Sequence, residues 1–100
     1  MIRIHHDHNG ITIVGHAGYA ENGKDIVCAA VTALVEQLIL SLEKLTPEVP
    51  ICDLDSGYVN IKTSSQTEAT ELLIDCFFIG VGNIEEQFPD HVQVTRRESR

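Results

Sequence analysis

One feature limits the possible folds more than any other, a helical apolar pattern in DIVCAAVTALVEQLILSLEKL, residues 25–45. Branched apolar residues recur there at spacings of four and three, which places them on one face of a helix. The predicted inward face consists of Val27, Val31, Leu34, Leu38, Leu42 and Leu45. Asp25 is a suitable N-cap, and Thr46-Pro47 predicts the end of the helix. The fold must therefore bury one face of a long helix against other elements.

Short extended runs before and after this helix predict a sheet. The runs MIRIHH and ITIV flank Asn9-Gly10, a pair that suits a two-residue hairpin turn. The runs VPICDLD and GYVNIK flank Asp55-Ser56-Gly57 and predict a second hairpin. A last strand is expected in HVQVT.

A second helix is expected after SQTE, which has the form of a capping box with Ser65 as N-cap. Its predicted inward residues are Leu72, Leu73, Cys76, Phe77, Ile84 and Phe88, and Pro89 stops it. The order ββαββαβ predicts one α+β domain over residues 1–100. We expect a mixed sheet of about five strands with both helices on one face.

Composition narrows the possible functions. No apolar run reaches the roughly 18–20 residues that a bilayer crossing needs, and the first ten residues do not resemble a signal peptide. Three cysteines are not a disulfide framework, so we expect reduced thiols and a cytoplasmic protein. A net charge of −8 argues against direct nucleic-acid binding and favours a basic partner.

Two reactive side chains bound the segment GHAGYAENGKDIVC. Cys28 would lie in the first turn of the helix, where the dipole favours a thiolate, and His16 ends the second predicted strand. The loop between them is long enough to let the pair meet, and its glycines permit sharp turns, at Gly15, Gly18 and Gly23. An arbitrary pair of this kind is more often structural than catalytic, so spacing alone leaves both readings open.

Other candidates are weaker. His6 and His8 would share a face of the first strand, but without a third ligand nearby we expect neither a metal site nor a cofactor. Cys52 and Cys76 are expected to fill the core. The segment GVGNIE lacks the third glycine of a nucleotide-binding loop.

The elements GHA and GKDIVCAAVTAL resemble the signature of the bacterial ribosomal-processing cysteine proteases. The likeness extends to DLDSGYVNI and FPDHVQV, and so to nearly the whole chain. It implies a catalytic dyad in which Cys28 is the nucleophile and His16 the general base and later the general acid. It also implies that Asp25 and Thr32 support the dyad and that the glycine-containing loop receives the substrate. First-turn backbone N–H groups would then hold the oxyanion.

The same resemblance implies the biological task. Such enzymes remove a short basic N-terminal extension from a large-subunit ribosomal protein, number twenty-seven of that subunit. They form homodimers, and some cut phage capsid or scaffold proteins. The alternative is a non-catalytic dimeric module that binds a ribosomal or phage-capsid assembly partner.

Overall fold

The computed structural model describes residues 1–64 and 66–96. Its elements follow the predicted order β-β-α-β-β-α-β, which confirms an α+β fold. They are β1 (Ile2–Asp7), β2 (Gly10–Val14), α1 (Ile26–Leu45), β3 (Ile51–Asp55), β4 (Tyr58–Lys62), α2 (Glu68–Gln87) and β5 (Val92–Arg96).

The five strands of the described chain form one mixed sheet in the order β3-β4-β2-β1-β5. Three neighbouring pairs are antiparallel, whereas β5 runs parallel to β1. Val14 at the end of β2 pairs with Tyr58 at the start of β4. This register brings the segment that follows β2 next to the β3–β4 hairpin.

The two hairpin turns differ in how well their sequences predict them. In the β3–β4 hairpin Asp55 pairs with Tyr58, and the predicted turn is confirmed. In the β1–β2 hairpin Asp7 pairs with Gly10, so the turn lies one residue before the predicted Asn9-Gly10. The Asn9 N–H donates to Asp7 Oδ1 at 2.8 Å, and this local bond fixes the earlier turn.

The helix α1 has the predicted ends. Asp25 is its N-cap, and at the C-cap the Thr46 hydroxyl donates to the Leu42 carbonyl at 2.6 Å. The buried residues are Val27, Val31, Val35, Leu38 and Leu42. Leu34 is half-buried and Leu45 is 71% exposed, because Val35 and not Leu34 continues the line at a spacing of four.

By length and apolar composition alone, α1 also has the character of a membrane-spanning helix. This differs from the expectation drawn from apolar runs, which charged residues interrupt. In this fold α1 packs one apolar face into the core, as the core helices of folded domains do.

The helix α2 begins later than predicted. Thr67 is its N-cap and its hydroxyl accepts from the Thr70 N–H at 3.2 Å, while Ser65 lies outside the described residues. The buried residues are Thr70, Ile74, Phe77, Phe78, Val81 and Ile84. Leu72 is 58% exposed and Cys76 is also exposed, so the prediction that both point inward was wrong. The line of buried residues passes through Ile74 instead.

Both helices cover the same face of the sheet, as predicted. The sheet residues buried in the common core are Ile2, Ile4, Ile11, Ile13, Ile61 and Val92. On the opposite face the Asn60 amide donates to the Thr12 hydroxyl at 2.9 Å. The helices approach closely at Gly80, where an added Cβ would lie 2.9 Å from Leu34 Cδ1.

Candidate active site

The first turn of α1 holds Cys28 in a half-buried position. Asp25 Oδ1 accepts from the backbone N–H groups of Val27 and Cys28, both at 3.0 Å. This is the predicted N-cap, and it places the thiol at the third helical position. The positive end of the helix dipole therefore acts on the sulfur.

The second oxygen of Asp25 ties the preceding loop to the helix. Its Oδ2 accepts from the N–H groups of Tyr19, at 2.9 Å, and Ala20, at 3.3 Å. Desolvation alone raises the pKa of Asp25, but its four backbone N–H donors outweigh it and hold the pKa below its ordinary value of 3.8. Asp25 is thus an ionised link between the loop and α1.

The sulfur of Cys28 receives a hydrogen bond from the backbone. The Ala17 N–H donates to Cys28 Sγ at 3.3 Å. Ala17 is only 2% exposed, and its carbonyl accepts from His91 Nδ1 at 2.9 Å. An N–H directed at sulfur favours the thiolate, which is the nucleophilic form of cysteine.

The predicted partner, His16, follows Gly15 at the end of β2 and is exposed. The Gly15 N–H donates to the Gly57 carbonyl at 2.8 Å, and the Met1 nitrogen donates to the His16 carbonyl at 2.6 Å. The imidazole lies against the β3–β4 turn, where an added Cβ on Gly57 would be 2.9 Å from His16 Nε2. The main chain around His16 is therefore fixed on both sides.

Two adjoining cavities of about 310 and 760 Å³ meet at this pair. Cys28, His16, Asn22 and Thr32 line both of them. Gly15 lines the smaller cavity, and Gly18 and Gly23 line the larger. The structure thus brings together the predicted nucleophile, base, Thr32 and loop glycines around open space. Asp25 also lines the larger cavity.

Three N–H groups at the start of α1, the expected oxyanion donors, already have partners in this structure. The N–H groups of Val27 and Cys28 are directed to Asp25 Oδ1, and the Ala29 N–H donates to the Asp25 carbonyl at 3.1 Å. An oxyanion would therefore have to compete with Asp25 for these donors, and the assignment of first-turn N–H groups to the oxyanion stays a prediction.

Sequence reasoning also missed three residues that contact the candidate site, namely Ala17, Gly57 and His91. Ala17 acts through its main chain, which leaves no signal in residue type. Gly57 reaches the site because β4 pairs with β2, and His91 because β5 pairs with β1. Only knowledge of the strand order could have placed them there.

The remaining thiols and imidazoles lie elsewhere. Cys52 is half-buried in β3, and desolvation together with the nearby charge of Glu43 raises the pKa of its thiol. Cys76 is exposed on α2, contrary to the prediction that it fills the core. The His6 ring stacks on Phe78 with centroids 5.7 Å apart. Within residues 1–64 and 66–96, no three His, Cys, Asp or Glu side chains group as metal ligands.

A small α+β fold with a helix-start thiol and an imidazole on one cavity defines a class of candidate thiol enzymes. Comparison with known proteins identifies the family. The profile of the family described as cysteine protease Prp matches residues 1–93. The ribosomal processing cysteine protease Prp of Bacillus subtilis (strain 168) is 34% identical, over 94% of this chain and 92% of that protein.

Solved structures agree in fold. SMU.848 from Streptococcus mutans has a TM-score of 0.81 at 32% identity, over 96% of this chain and 93% of that one. The ribosomal processing protease Prp from S. aureus, in complex with a covalently linked product peptide, has a TM-score of 0.84 at 23% identity. That comparison covers 96% of this chain and 97% of the other.

The chain therefore belongs to the cysteine protease Prp family, which confirms the resemblance found in its sequence. It is a cysteine protease, and the alternative of a non-catalytic module is set aside.

Proposed function

We propose that Cys28 is the nucleophile of this protease and that His16 is its general base and then its general acid. The observation that carries the proposal is a thiol at a helix start whose sulfur accepts the Ala17 N–H on a cavity wall shared with His16. Helix dipole and N–H donor both favour the anion that attacks.

The reaction then follows from this chemistry. The Cys28 thiol loses its proton to His16, and the sulfur attacks the scissile carbonyl to form a tetrahedral adduct. The adduct collapses as His16 returns the proton to the leaving amine, which leaves a thioester on Cys28. His16 then deprotonates a water molecule, whose oxygen attacks the thioester carbonyl. The C–S bond breaks, the acyl product leaves as a carboxylic acid, and the Cys28 sulfur regains its proton from His16.

We further propose that the substrate is the basic N-terminal extension of a large-subunit ribosomal protein, number twenty-seven of that subunit. The curated relatives are named ribosomal processing proteases, and the S. aureus enzyme has been solved with a substrate peptide. Asp55 and Glu36 add carboxylates to the two cavities, and the net charge of −8 attracts basic segments. We also propose a cytoplasmic location, which is where a ribosomal substrate would be met. A phage capsid or scaffold protein stays a predicted second substrate.

The decisive test incubates the enzyme with that ribosomal protein and identifies the products by mass spectrometry. Wild type is expected to remove the extension, Cys28→Ala to lose cleavage, and His16→Ala to lose roughly 100–10,000-fold in kcat. Cys76→Ala, on the outer face of α2, is the matched control and should cleave normally. Cleavage that persists in Cys28→Ala would contradict the assignment of Cys28 as nucleophile. A wild-type enzyme that binds the ribosomal protein without cleaving it would contradict the proposed substrate.

A homodimer is the proposed working state. Its support is the edge strand β3, where apolar side chains next to and within the strand are largely exposed, at Val49, Ile51 and Leu54. Sedimentation velocity over a range of concentrations tests this, and a species of one chain's mass throughout would contradict it.

A further inference from the structure

A histidine outside the predicted dyad, His91, contacts the backbone of Ala17, the residue that follows His16. His91 follows the turn after α2, where its N–H donates to the Phe88 carbonyl at 2.9 Å. Its carbonyl accepts from the Ile2 N–H, also at 2.9 Å, so the main chain of His91 is held on both sides. The Tyr19 ring packs edge-on against the imidazole with centroids 5.4 Å apart. The ring of His91 is thus fixed in place.

The imidazole holds the carbonyl of the residue that faces the thiol. Since a carbonyl only accepts, His91 Nδ1 must carry the proton that is donated to the Ala17 oxygen at 2.9 Å. Either the neutral Nδ1–H tautomer or the imidazolium satisfies this contact.

Ala17 transmits that constraint to the sulfur. Its N–H and its carbonyl are separated only by the two dihedral angles of one residue, so fixing the carbonyl restricts the direction of the N–H. That N–H donates to Cys28 Sγ at 3.3 Å from a buried position. Without the His91 contact, the Ala17 carbonyl would lose its partner and the N–H would be free to turn away.

We propose that His91 is a positioning residue that aims the Ala17 N–H at the Cys28 sulfur and so favours its thiolate. The proposal rests on the proposed role of Cys28 as nucleophile, and it adds a residue that does not touch the substrate. Hydrogen bonds to charged groups are stronger than neutral ones, so losing the aim should slow the reaction of the Cys28 sulfur with an alkylating reagent about ten-fold.

The test compares His91→Asn with His91→Leu, two side chains of similar shape. Asparagine keeps an N–H donor close to the position of Nδ1, whereas leucine has none. His91→Phe is a second donor-free variant that keeps ring packing against Tyr19, in case His91→Leu does not fold. His8→Leu is the matched control, because His8 is exposed in the β1–β2 turn and lines neither cavity of the candidate site.

The readout is the pH profile of iodoacetamide alkylation at Cys28, followed by peptide mass spectrometry with Cys52 and Cys76 as internal references. We expect both donor-free variants to react about ten-fold more slowly at neutral pH and to move the midpoint of the profile upward. His91→Asn should recover most of the rate, and His8→Leu should match wild type.

Equal rates in wild type and a folded donor-free variant would overturn the proposal, and so would equal losses in His91→Asn and His91→Phe. A uniform change at all three cysteines would overturn it too, because that pattern indicates general unfolding. Alkylation needs no substrate, so this failure is distinguishable from a failure of the proposed proteolysis, which Cys28→Ala tests.

Discussion

At the scale of single residues, Asp25 does more than cap a helix. One carboxylate oxygen accepts from the first turn of α1 and the other accepts from the loop at Tyr19 and Ala20. The same side chain therefore fixes Cys28 and the loop that carries Ala17.

An acidic pH should weaken this link. Since the folded pKa of Asp25 lies below 3.8, its stabilisation is fully present above that ordinary value and is lost as pH falls through the folded pKa. We expect the urea midpoint of Asp25→Asn to lie below that of wild type, with the largest difference at about pH 6 and a shrinking one below about pH 4. Asparagine presents an NH₂ where two backbone donors need an acceptor.

Glu21→Gln is the control for that measurement, since Glu21 lies in the same loop and only forms an exposed ion pair with Lys24. The urea midpoint of Glu21→Gln should equal that of wild type both at about pH 6 and below about pH 4. A difference for Asp25→Asn that stays constant down to about pH 3 would show that the charge of the carboxylate contributes nothing.

Sequence and structure agree on the start of α1, whereas the observed β1–β2 turn and the observed N-cap of α2, Thr67, differ from the local signals. The cap at Asp25 and the first-turn position of Cys28 are both confirmed, because capping needs only the neighbouring backbone. Ala17 could not be predicted, since every residue except proline carries an N–H. The catalytic roles of Cys28 and His16 stay predictions that follow from the family signature.

At the scale of elements, the β3–β4 hairpin forms one wall of the site. Gly57 has a φ of 70°, in the left-handed region, and its Cα faces the His16 ring. The hairpin itself was predictable from Asp55-Ser56-Gly57, but its position beside β2 was not. Nothing in the local pattern states that β4 pairs with β2 or that β5 runs parallel to β1, because those pairings are decided by the whole core.

Gly57→Ala should displace His16. The new Cβ would lie 2.9 Å from His16 Nε2, and alanine is strained at positive φ. A displaced base misaligns the proton transfer, so kcat/KM for the extension peptide should fall by about ten- to a hundred-fold. Steady-state cleavage measures it, and circular dichroism checks that the variant folds.

Gly82→Ala is the matched control for Gly57→Ala. Gly82 lies within α2 with no heavy atom within 4 Å of an added Cβ, so alanine should keep activity and add about 0.5–1 kcal/mol of stability. Unchanged kcat/KM in Gly57→Ala would mean that the His16 ring moves away without cost and that its contact with the hairpin does not position it.

At the scale of the whole molecule, one apolar layer between sheet and helices supports a site at one end of α1. The periodic pattern of residues 25–45 was enough to predict this layer, because a long amphipathic helix needs a partner surface. The pattern was less exact for α2, where Ile74 rather than Cys76 lies on the buried line. Short apolar runs with glycines fit more than one helical phase, and the sheet selects among them.

Leu42→Ala should separate stability from the chemistry of the site. Leu42 is fully buried, so truncation should cost about 2–5 kcal/mol in the free energy of unfolding. It lies fourteen residues beyond Cys28 along α1, or roughly 21 Å at 1.5 Å per residue. The thiol should therefore keep its alkylation rate in the folded protein.

Leu40→Ala is the control on the same helix, because Leu40 is 49% exposed in wild type and its truncation should cost under about 1 kcal/mol. Urea unfolding measures the loss of stability, and iodoacetamide alkylation measures the reactivity of Cys28. A slower alkylation of Cys28 in folded Leu42→Ala would contradict the prediction and show that the core and the site are coupled.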